Sequence, residues 1–163
     1  MKKVIILSGI PGSGKSSWAK EHYHEYSGFE SYTAHVSADG YFRGVYGEYK
    51  FNPQKLNEAH AECLRLYTTD IVYSAPASPS VVLVVDNTNT TALEIAPYAA
   101  LALAFDFELE IVTFKCPPEV GAARNVHGVP LKTCKDMAER LASRRLPPYW
   151  AKFERVIEVT EGP

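Results

Sequence analysis

This sequence has little cysteine, no long apolar run near its start and almost no net charge, and each shortage excludes a class of protein. The three cysteines, Cys63, Cys116 and Cys134, are widely spaced and show no metal-ligand pattern. We therefore expect reduced, inert thiols and neither a disulfide framework nor a zinc site. The early apolar run, Val4 to Leu7, is too short for a signal-peptide core or a membrane span. A soluble, cytoplasmic protein without a membrane partner is the resulting expectation.

The formal net charge of −2 argues against a protein that coats nucleic acid over its whole surface. The charge is unevenly distributed, however. Between Lys115 and Arg155 there are nine Lys or Arg residues against four Asp or Glu residues. This local positive excess predicts either a basic surface for a phosphate-rich ligand or a solvated helix face, and composition alone leaves both open.

A length of 163 residues suffices for one well-cored domain, which we place at 1–163. Apolar runs that alternate with helical patterns predict an α/β fold with a doubly wound, mostly parallel sheet. The predicted strands cover 4–7, 32–37, 81–85, 107–115 and 156–159, and the predicted helices cover 15–26, 53–73, 91–104, 118–124 and 130–145. Residues 124–145 are expected to form a short helical lid.

The segment from Gly9 to Ser16 matches the phosphate-loop pattern G-x-x-x-x-G-K-[ST] completely. It lies between a buried strand and a helix, which is the context that this pattern requires. Glycines allow backbone N–H groups to surround an anion, the lysine reaches the β- and γ-phosphates, and the hydroxyl can bind Mg²⁺. The predicted nucleotide-binding residues are Gly9, Pro11, Gly12, Ser13, Gly14, Lys15, Ser16 and Ser17.

Two absences narrow the class of P-loop protein. The chain has no Asn-Lys-x-Asp sequence, which a GTPase switch uses to read guanine. The third predicted strand ends at Asp86, and Asn87 stands where motor ATPases usually carry a water-activating glutamate. A kinase that transfers phosphate to a bound acceptor is therefore favoured.

Such a kinase needs an acceptor-activating base and an acid near Mg²⁺. Asp39 follows the second predicted strand and Asp86 ends the third, so both lie at the strand ends that form the ligand crevice. Asp39-Gly40 could equally be a simple turn. We predict Asp39 as the base, and Ser16 with Asp86 as the Mg²⁺ ligands.

Cations for the transferring phosphoryl group are expected in the lid. Arg124 precedes a flap that Gly128 and Pro130 would hinge, and it is our choice for the lid cation. His127 could touch a phosphate or cap the flap. The later arginines Arg140, Arg144 and Arg145 could face the site or form a solvated helix end.

Four segments resemble the phage-type polynucleotide 5′-kinases and the wider group of small AAA-type P-loop kinases. They are GIPGSGKSSWA, SADGYF, DNTNTT and ARNVHGVPLKTCKDMAERL, in the family's order from about Met1 to Tyr149. The resemblance implies that ATP and Mg²⁺ bind at Lys15 and Ser16 and that Asp39 takes the acceptor's proton. It also implies that Asp86, Thr88 and Asn89 lie by the acceptor and that Arg124 closes the lid.

Two departures from that family concern the acceptor. The polynucleotide kinases carry arginine three residues after the base, where this chain has Phe42, followed by Arg43. Their second lid arginine falls at His127. Arg43 and His127 are therefore included among the predicted acceptor-binding residues.

The leading functional prediction is an ATP-dependent kinase that acts on a nucleic-acid hydroxyl. The 5′-OH of DNA or RNA is the first candidate, and the hydroxymethyluracil base that some phage-type relatives phosphorylate in DNA is the second. A small-metabolite or nucleoside kinase and a nucleotide-gated binding module are the alternatives. The sequence leaves strandedness, donor base and oligomeric state open.

Overall fold

The computed structural model describes residues 1–161, so the last two positions of the predicted domain lie outside the described residues. Its strands are β1 (Lys2–Ser8), β2 (Tyr26–Ser27), β3 (Ser31–Val36), β4 (Ser80–Asp86), β5 (Glu108–Lys115) and β6 (Glu154–Glu158). Its α-helices are α1 (Lys15–His22), α2 (Leu56–Thr69), α3 (Ala92–Ala104), α4 (Pro118–Arg124), α5 (Leu131–Ser143) and α6 (Pro148–Ala151). Single turns of 3-10 helix cover Ala38–Phe42, Pro53–Lys55 and Ala75–Ala77, and a π-helical turn covers Asp70–Ser74.

The strands form one sheet in the order β2-β3-β4-β1-β5-β6. Only β2 runs antiparallel among these strands, so the predicted mostly parallel α/β fold is confirmed. The continuous apolar run of β1 suits its central place, because a central parallel strand is buried on both faces. Residues Val4 to Leu7 are fully buried.

The two faces of the sheet are covered by different helices, as a doubly wound sheet requires. Ile5 and Leu7 pack on the side of α1 with Ala19. Val4 and Ile6 point to the opposite side, where α2 and α3 contribute the rest of the main core. A third, smaller cluster joins the phosphate loop to α4 and α5 through Ile10, Val120 and Cys134.

The prediction for the first helix is wrong at its end. Helix α1 stops at His22, and Tyr26 belongs to β2, which pairs with β3 through Tyr26 opposite Thr33. The hairpin closes where the Gly28 N–H donates to the Ser31 carbonyl. The Ser27-Gly28 pair is a turn signal that the helical interpretation overlooked.

A capping box starts α3, at the sequence Thr91-Ala92-Leu93-Glu94. The Thr91 hydroxyl accepts from the Glu94 N–H, and the Glu94 carboxylate accepts from the Thr91 N–H at 2.9 Å. This reciprocal pair satisfies two N–H groups at the helix end. It fixes the end of the polar segment that follows β4.

All three cysteines are free and buried, as expected for inert thiols. Burial raises the pKa of each thiol. No helix within residues 1–161 is long and apolar enough to cross a membrane.

The buried pair Tyr67 and Tyr98 predicts loss of stability at alkaline pH. The Tyr67 hydroxyl donates to the Tyr98 carbonyl at 2.9 Å, and burial raises the pKa of both phenols above the ordinary value of about 10. Both phenols stay neutral in the folded chain but ionise in the unfolded chain above that pH. The two phenols therefore contribute their full share to the free energy of unfolding below about pH 10. At higher pH the free energy of unfolding falls by about 1.4 kcal/mol per pH unit for each phenol.

Urea titrations from pH 8 to pH 11.5 measure this slope. Tyr67→Phe is expected to make it shallower, whereas Tyr73→Phe, at a 75% exposed position, leaves it unchanged. A free energy of unfolding that stays level from pH 10 to pH 11 would contradict the assignment.

Candidate active site

The phosphate loop packs directly on α4 through two glycines. A Cβ on Gly12, whose φ is +75°, would lie 2.1 Å from the Gly121 carbonyl oxygen. A Cβ on Gly121 would lie 2.6 Å from the Pro11 carbonyl oxygen. No side chain fits at either position, so the loop and the helix approach backbone to backbone. Gly121 is a site residue that the sequence patterns did not reveal.

Lys15 lies at the centre of this loop. Its Nζ donates to the carbonyl oxygens of Gly9 and Ile10, each at 2.9 Å. Burial lowers the pKa of this amine, while the negative charges of Asp86 and Asp39 act in the opposite direction. Because the amine is buried among the loop's own carbonyls, an anion placed in the loop would stabilise its charged form.

Ser16 and Asp86 meet across the site. Ser16 lies in the first turn of α1. Its Oγ donates to Asp86 Oδ2 at the end of β4, at 2.5 Å. A hydroxyl beside a carboxylate is the oxygen-donor pair that a P-loop Mg²⁺ uses. Within residues 1–161 no group of three or more His, Cys, Asp or Glu side chains could hold a metal. The pair therefore fits Mg²⁺ whose other ligands are phosphate and water oxygens.

Asp39 lies in the 3-10 turn that follows β3, and its side chain is half exposed. The Tyr49 hydroxyl donates to Asp39 Oδ1 at 3.3 Å, and His127 Nε2 lies 3.5 Å from Asp39 Oδ2. The Tyr49 and His127 rings pack with their centroids 4.3 Å apart. The structure thus brings the predicted base together with the predicted flap residue His127, through a tyrosine that the sequence did not single out.

Tyr49 is a firm hydrogen-bond donor to this carboxylate. Burial first, and then the charge of Asp39, raise the pKa of Tyr49 to about 12. The phenol consequently keeps its proton at physiological pH. It holds one carboxylate oxygen and leaves the other next to His127.

Asn87 positions the turn that carries Asp39. Its Oδ1 accepts from the Ala38 N–H at 2.8 Å, and its Nδ2 donates to Cys63 Sγ at 3.4 Å. The side chain is buried, so these bonds fix the turn against β4 and α2. Asn87 thus holds the turn of the predicted base Asp39 in place, at the position where a motor ATPase carries its water-activating glutamate.

Of the residues expected beside an acceptor, Asn89 is buried. It is 2% exposed, has a positive φ of 43°, and its Nδ2 donates to the Leu7 carbonyl at 2.7 Å. The neighbouring Thr88 carbonyl accepts from the Gly9 N–H at 2.8 Å. This geometry corrects the expectation for Asn89: its side chain ties the segment after β4 to β1 and is closed to an acceptor.

Arg124 and Arg43 are both exposed at the edges of the site. Arg124 ends α4, where one guanidinium nitrogen lies 3.5 Å from the Thr160 carbonyl. The flap after it is held by Asn125, whose amide bonds both the N–H and the carbonyl of Val129, at 2.8 and 3.0 Å. Arg43 follows the Asp39 turn and pairs with Tyr49 through a backbone bridge.

Arg144 is neither a solvated helix end nor a free lid cation. Its side chain is 4% exposed and forms an ion pair with Glu154 at the start of β6. It also donates to the Ser8 hydroxyl at 2.6 Å, to the Asn89 carbonyl at 2.9 Å and to the Thr113 hydroxyl at 2.9 Å. One guanidinium therefore links the end of α5 to β1, β5, β6 and the segment after β4.

Comparisons with known proteins give a family match and a curated relative. A family model described as "AAA domain" matches residues 4–144. NEDD4-binding protein 2 from Homo sapiens is 31% identical over 140 residues, which cover 83% of this chain. The chain spans only 7% of the length of that relative.

The solved structures share the fold at low identity. A chain of the Pnkp1/Rnl/Hen1 RNA repair complex gives a TM-score of 0.61 at 16% identity, over 86% of this chain and 44% of that one. A gluconokinase from Sinorhizobium meliloti 1021 gives a TM-score of 0.51 at 17% identity, over 99% of this chain and 85% of that one. The predicted resemblance to the small AAA-type P-loop group is confirmed by the family match. At these identities the two structures show a shared fold.

The Arg144 network predicts a large difference between two adjacent arginines. Arg144→Met leaves the Glu154 carboxylate without its cation, which costs about 3 kcal/mol, because Glu154 keeps some contact with water. Arg145→Met, at an exposed position, is expected to change the free energy of unfolding by less than about 0.5 kcal/mol. Urea denaturation measures both. Equal effects of the two substitutions would show that the network contributes nothing.

Proposed function

Because this chain belongs to the AAA domain family, which it matches over residues 4–144, we propose that it transfers the γ-phosphate of ATP to a hydroxyl group of nucleic acid. The observation that carries the proposal is the convergence of three predicted groups at one edge of the sheet. They are the buried amine of Lys15, the Ser16–Asp86 oxygen pair and the half-exposed carboxylate of Asp39. Phosphoryl transfer requires one group of each kind.

The proposed reaction assigns one task to each group. Asp39 accepts the proton of the acceptor hydroxyl as that oxygen attacks the γ-phosphorus, the bond from this phosphorus to the β–γ bridging oxygen breaks, and ADP leaves. Lys15 and Arg124 stabilise the charge on the transferring group. Ser16 and Asp86 would hold Mg²⁺, which neutralises phosphate charge when it is bound.

A second feature suits the nucleotide donor. A cleft of about 580 Å³ opens beside Ile10 of the phosphate loop, between α5 and β6. Its walls include Cys116, Leu141 and Val159, which offer apolar surface to a purine base. Arg124 lies beside the carbonyl of Thr160, the residue that follows Val159 of the cleft wall.

Two observations support a nucleic-acid acceptor. The region from Lys115 to Arg155 carries a positive excess, and within it Arg140 and Arg145 are exposed. One structural neighbour belongs to an RNA repair complex. The 5′-OH of a strand is the first acceptor that we propose, and a hydroxymethyl group on a base in DNA is the second, since both are primary alcohols on a polyanion.

A small-metabolite kinase is the competing function. The gluconokinase neighbour covers nearly the whole chain, and the part of the chain outside 115–155 is acidic. At the position where the polynucleotide kinases carry arginine after the base, Phe42 is only 6% exposed and belongs to the core. The exposed Arg43 beside it would take over contact with an acceptor phosphate.

Transfer of label from γ-labelled ATP with Mg²⁺ to a panel of acceptors tests the proposal. The panel contains a 5′-OH oligonucleotide, duplexes with blocked 5′ ends with and without hydroxymethyluracil, nucleosides, and gluconate. We expect label on a nucleic acid and a KM for that strand that rises steeply with salt. Label on small molecules alone, or a KM that is independent of salt, would contradict the nucleic-acid acceptor. A cytoplasmic location remains the prediction for the protein.

A further inference from the structure

We propose that the cleft between Tyr41 and Lys55 binds the nucleotide adjacent to the one that is phosphorylated, so that the enzyme prefers a strand to a single nucleoside. This inference rests on the proposed function and specifies its substrate. The cleft measures about 420 Å³ and lies beside the turn that carries Asp39. Its lining residues are Tyr41, Phe42, Arg43, Gly44, Glu48, Lys50, Phe51, Asn52 and Lys55.

The cleft has an ordered aromatic floor. The buried ring of Phe42 contacts Tyr41 and Phe51 edge to face, with centroids 5.4 and 5.1 Å apart. Phe51 remains 51% exposed, although one edge of its ring is held by this contact. A half-exposed aromatic ring that is held in one orientation can stack on a base without losing much side-chain freedom.

Backbone hydrogen bonds hold the chain segment around the cleft in one conformation. The Gly44 N–H donates to the Glu48 carbonyl at 2.8 Å, and the Lys50 N–H donates to the Phe42 carbonyl at 2.9 Å. These bonds hold residues 42–50 as a short hairpin with Gly47, whose φ is +84°, at its turn. The cleft is therefore formed by ordered backbone before any acceptor binds.

Charge favours a phosphate-bearing occupant. The lining contains Arg43, Lys50 and Lys55 against one acid, Glu48. Lys55 is 3.8 Å from the carboxylate of Glu58, whereas Arg43 and Lys50 form no ion pair within residues 1–161. Two cations without an ion pair, only partly offset by Glu48, lie beside an exposed ring and match a nucleotide, which offers a π face and a phosphate together. A small neutral metabolite offers neither group.

The cleft is connected to the reacting group by direct contacts. Phe42 and Tyr49 pack with centroids 6.2 Å apart, and the Tyr49 hydroxyl donates to Asp39. A base that stacks on Phe51 would thus be separated from Tyr49, which holds the carboxylate, by two rings in contact, Phe51 and Phe42. This adjacency points to the neighbouring nucleotide as the occupant, because the acceptor hydroxyl itself must reach Asp39.

Two acceptors and four variants test the inference. The acceptors are a nucleoside 3′-monophosphate and a ten-nucleotide single strand with a 5′-OH. Phe51→Ala and Lys50→Ala remove the ring and one cation. Phe105→Ala, at a 42% exposed position at the end of α3, and Lys20→Ala, at an exposed position on α1, are the matched controls.

Phe51→Ala is expected to raise the KM for the ten-nucleotide strand about tenfold, because stacking on one aromatic ring contributes about 1–3 kcal/mol per base. The KM for the monophosphate and the KM for ATP stay unchanged. Lys50→Ala lowers the salt dependence of strand affinity by about one unit of slope. The two controls are expected to leave the three KM values and the salt dependence of strand affinity unchanged.

A binding measurement makes the outcome independent of turnover. Fluorescence anisotropy of a labelled ten-nucleotide strand that ends in 5′-phosphate should show tenfold weaker binding to Phe51→Ala than to the wild type and to Phe105→Ala. Equal KM values for monophosphate and strand, or equal strand affinity of Phe51→Ala and the wild type, overturn the cleft assignment while the kinase stands. Label on gluconate alone, with no strand bound, overturns the proposed function together with it.

Discussion

The parallel alignment of β3, β4 and β1 is the constraint on which the site depends. Val36 pairs with Val85, and Asp86 pairs with Leu7, so the three strands end side by side. The segments that leave them carry the predicted base Asp39, the predicted metal ligand Asp86 and the phosphate loop. Since parallel strands place their carboxyl ends at one edge, residues far apart in the chain meet there without any long-range tether of their own. Strand register alone thus sets the approximate positions of Lys15, Asp86 and Asp39.

Buried polar contacts then refine those positions. Asn87 holds the Asp39 turn, Asn89 ties the segment after β4 to β1, and Arg144 joins the end of the lid helix to three strands. Each of these side chains is buried and its polar atoms have hydrogen-bond partners within the chain, which is the condition under which such groups are tolerated inside a protein. The glycine contact between the phosphate loop and α4 adds a purely steric constraint. A shift of α4 toward the phosphate loop would therefore displace the loop.

The sequence predicts features whose patterns are local in the chain and misses contacts between residues that are far apart in it. The phosphate loop, the alternation of apolar runs with helical patterns, and the two acids at strand ends are local signals, and the mostly parallel α/β fold predicted from that alternation is the fold observed. The role of Arg144 could not be predicted, because its partner Ser8 is 136 positions away and no sequence pattern near Arg144 indicates that contact. The role of Tyr49 could not be predicted either, since its contact with Asp39 depends on how residues 42–50 turn back. The hairpin of β2 was missed because the predicted helix was extended to Tyr26, although Ser27-Gly28 signals a turn directly after it.

The central claim is that Asp39 is the base of a phosphoryl transfer at this edge. The most direct test compares the wild type with Asp39→Asn, using labelled transfer and ATP·Mg²⁺ affinity on the same preparations. Asp106→Asn, an exposed acid after α3, is the matched control. The account predicts that Asp39→Asn lowers turnover about 10²–10⁴-fold while its affinity for ATP·Mg²⁺ stays within about twofold of the wild-type value. Undiminished turnover in Asp39→Asn, or a wild type that binds ATP without transferring phosphate to any acceptor, would contradict it.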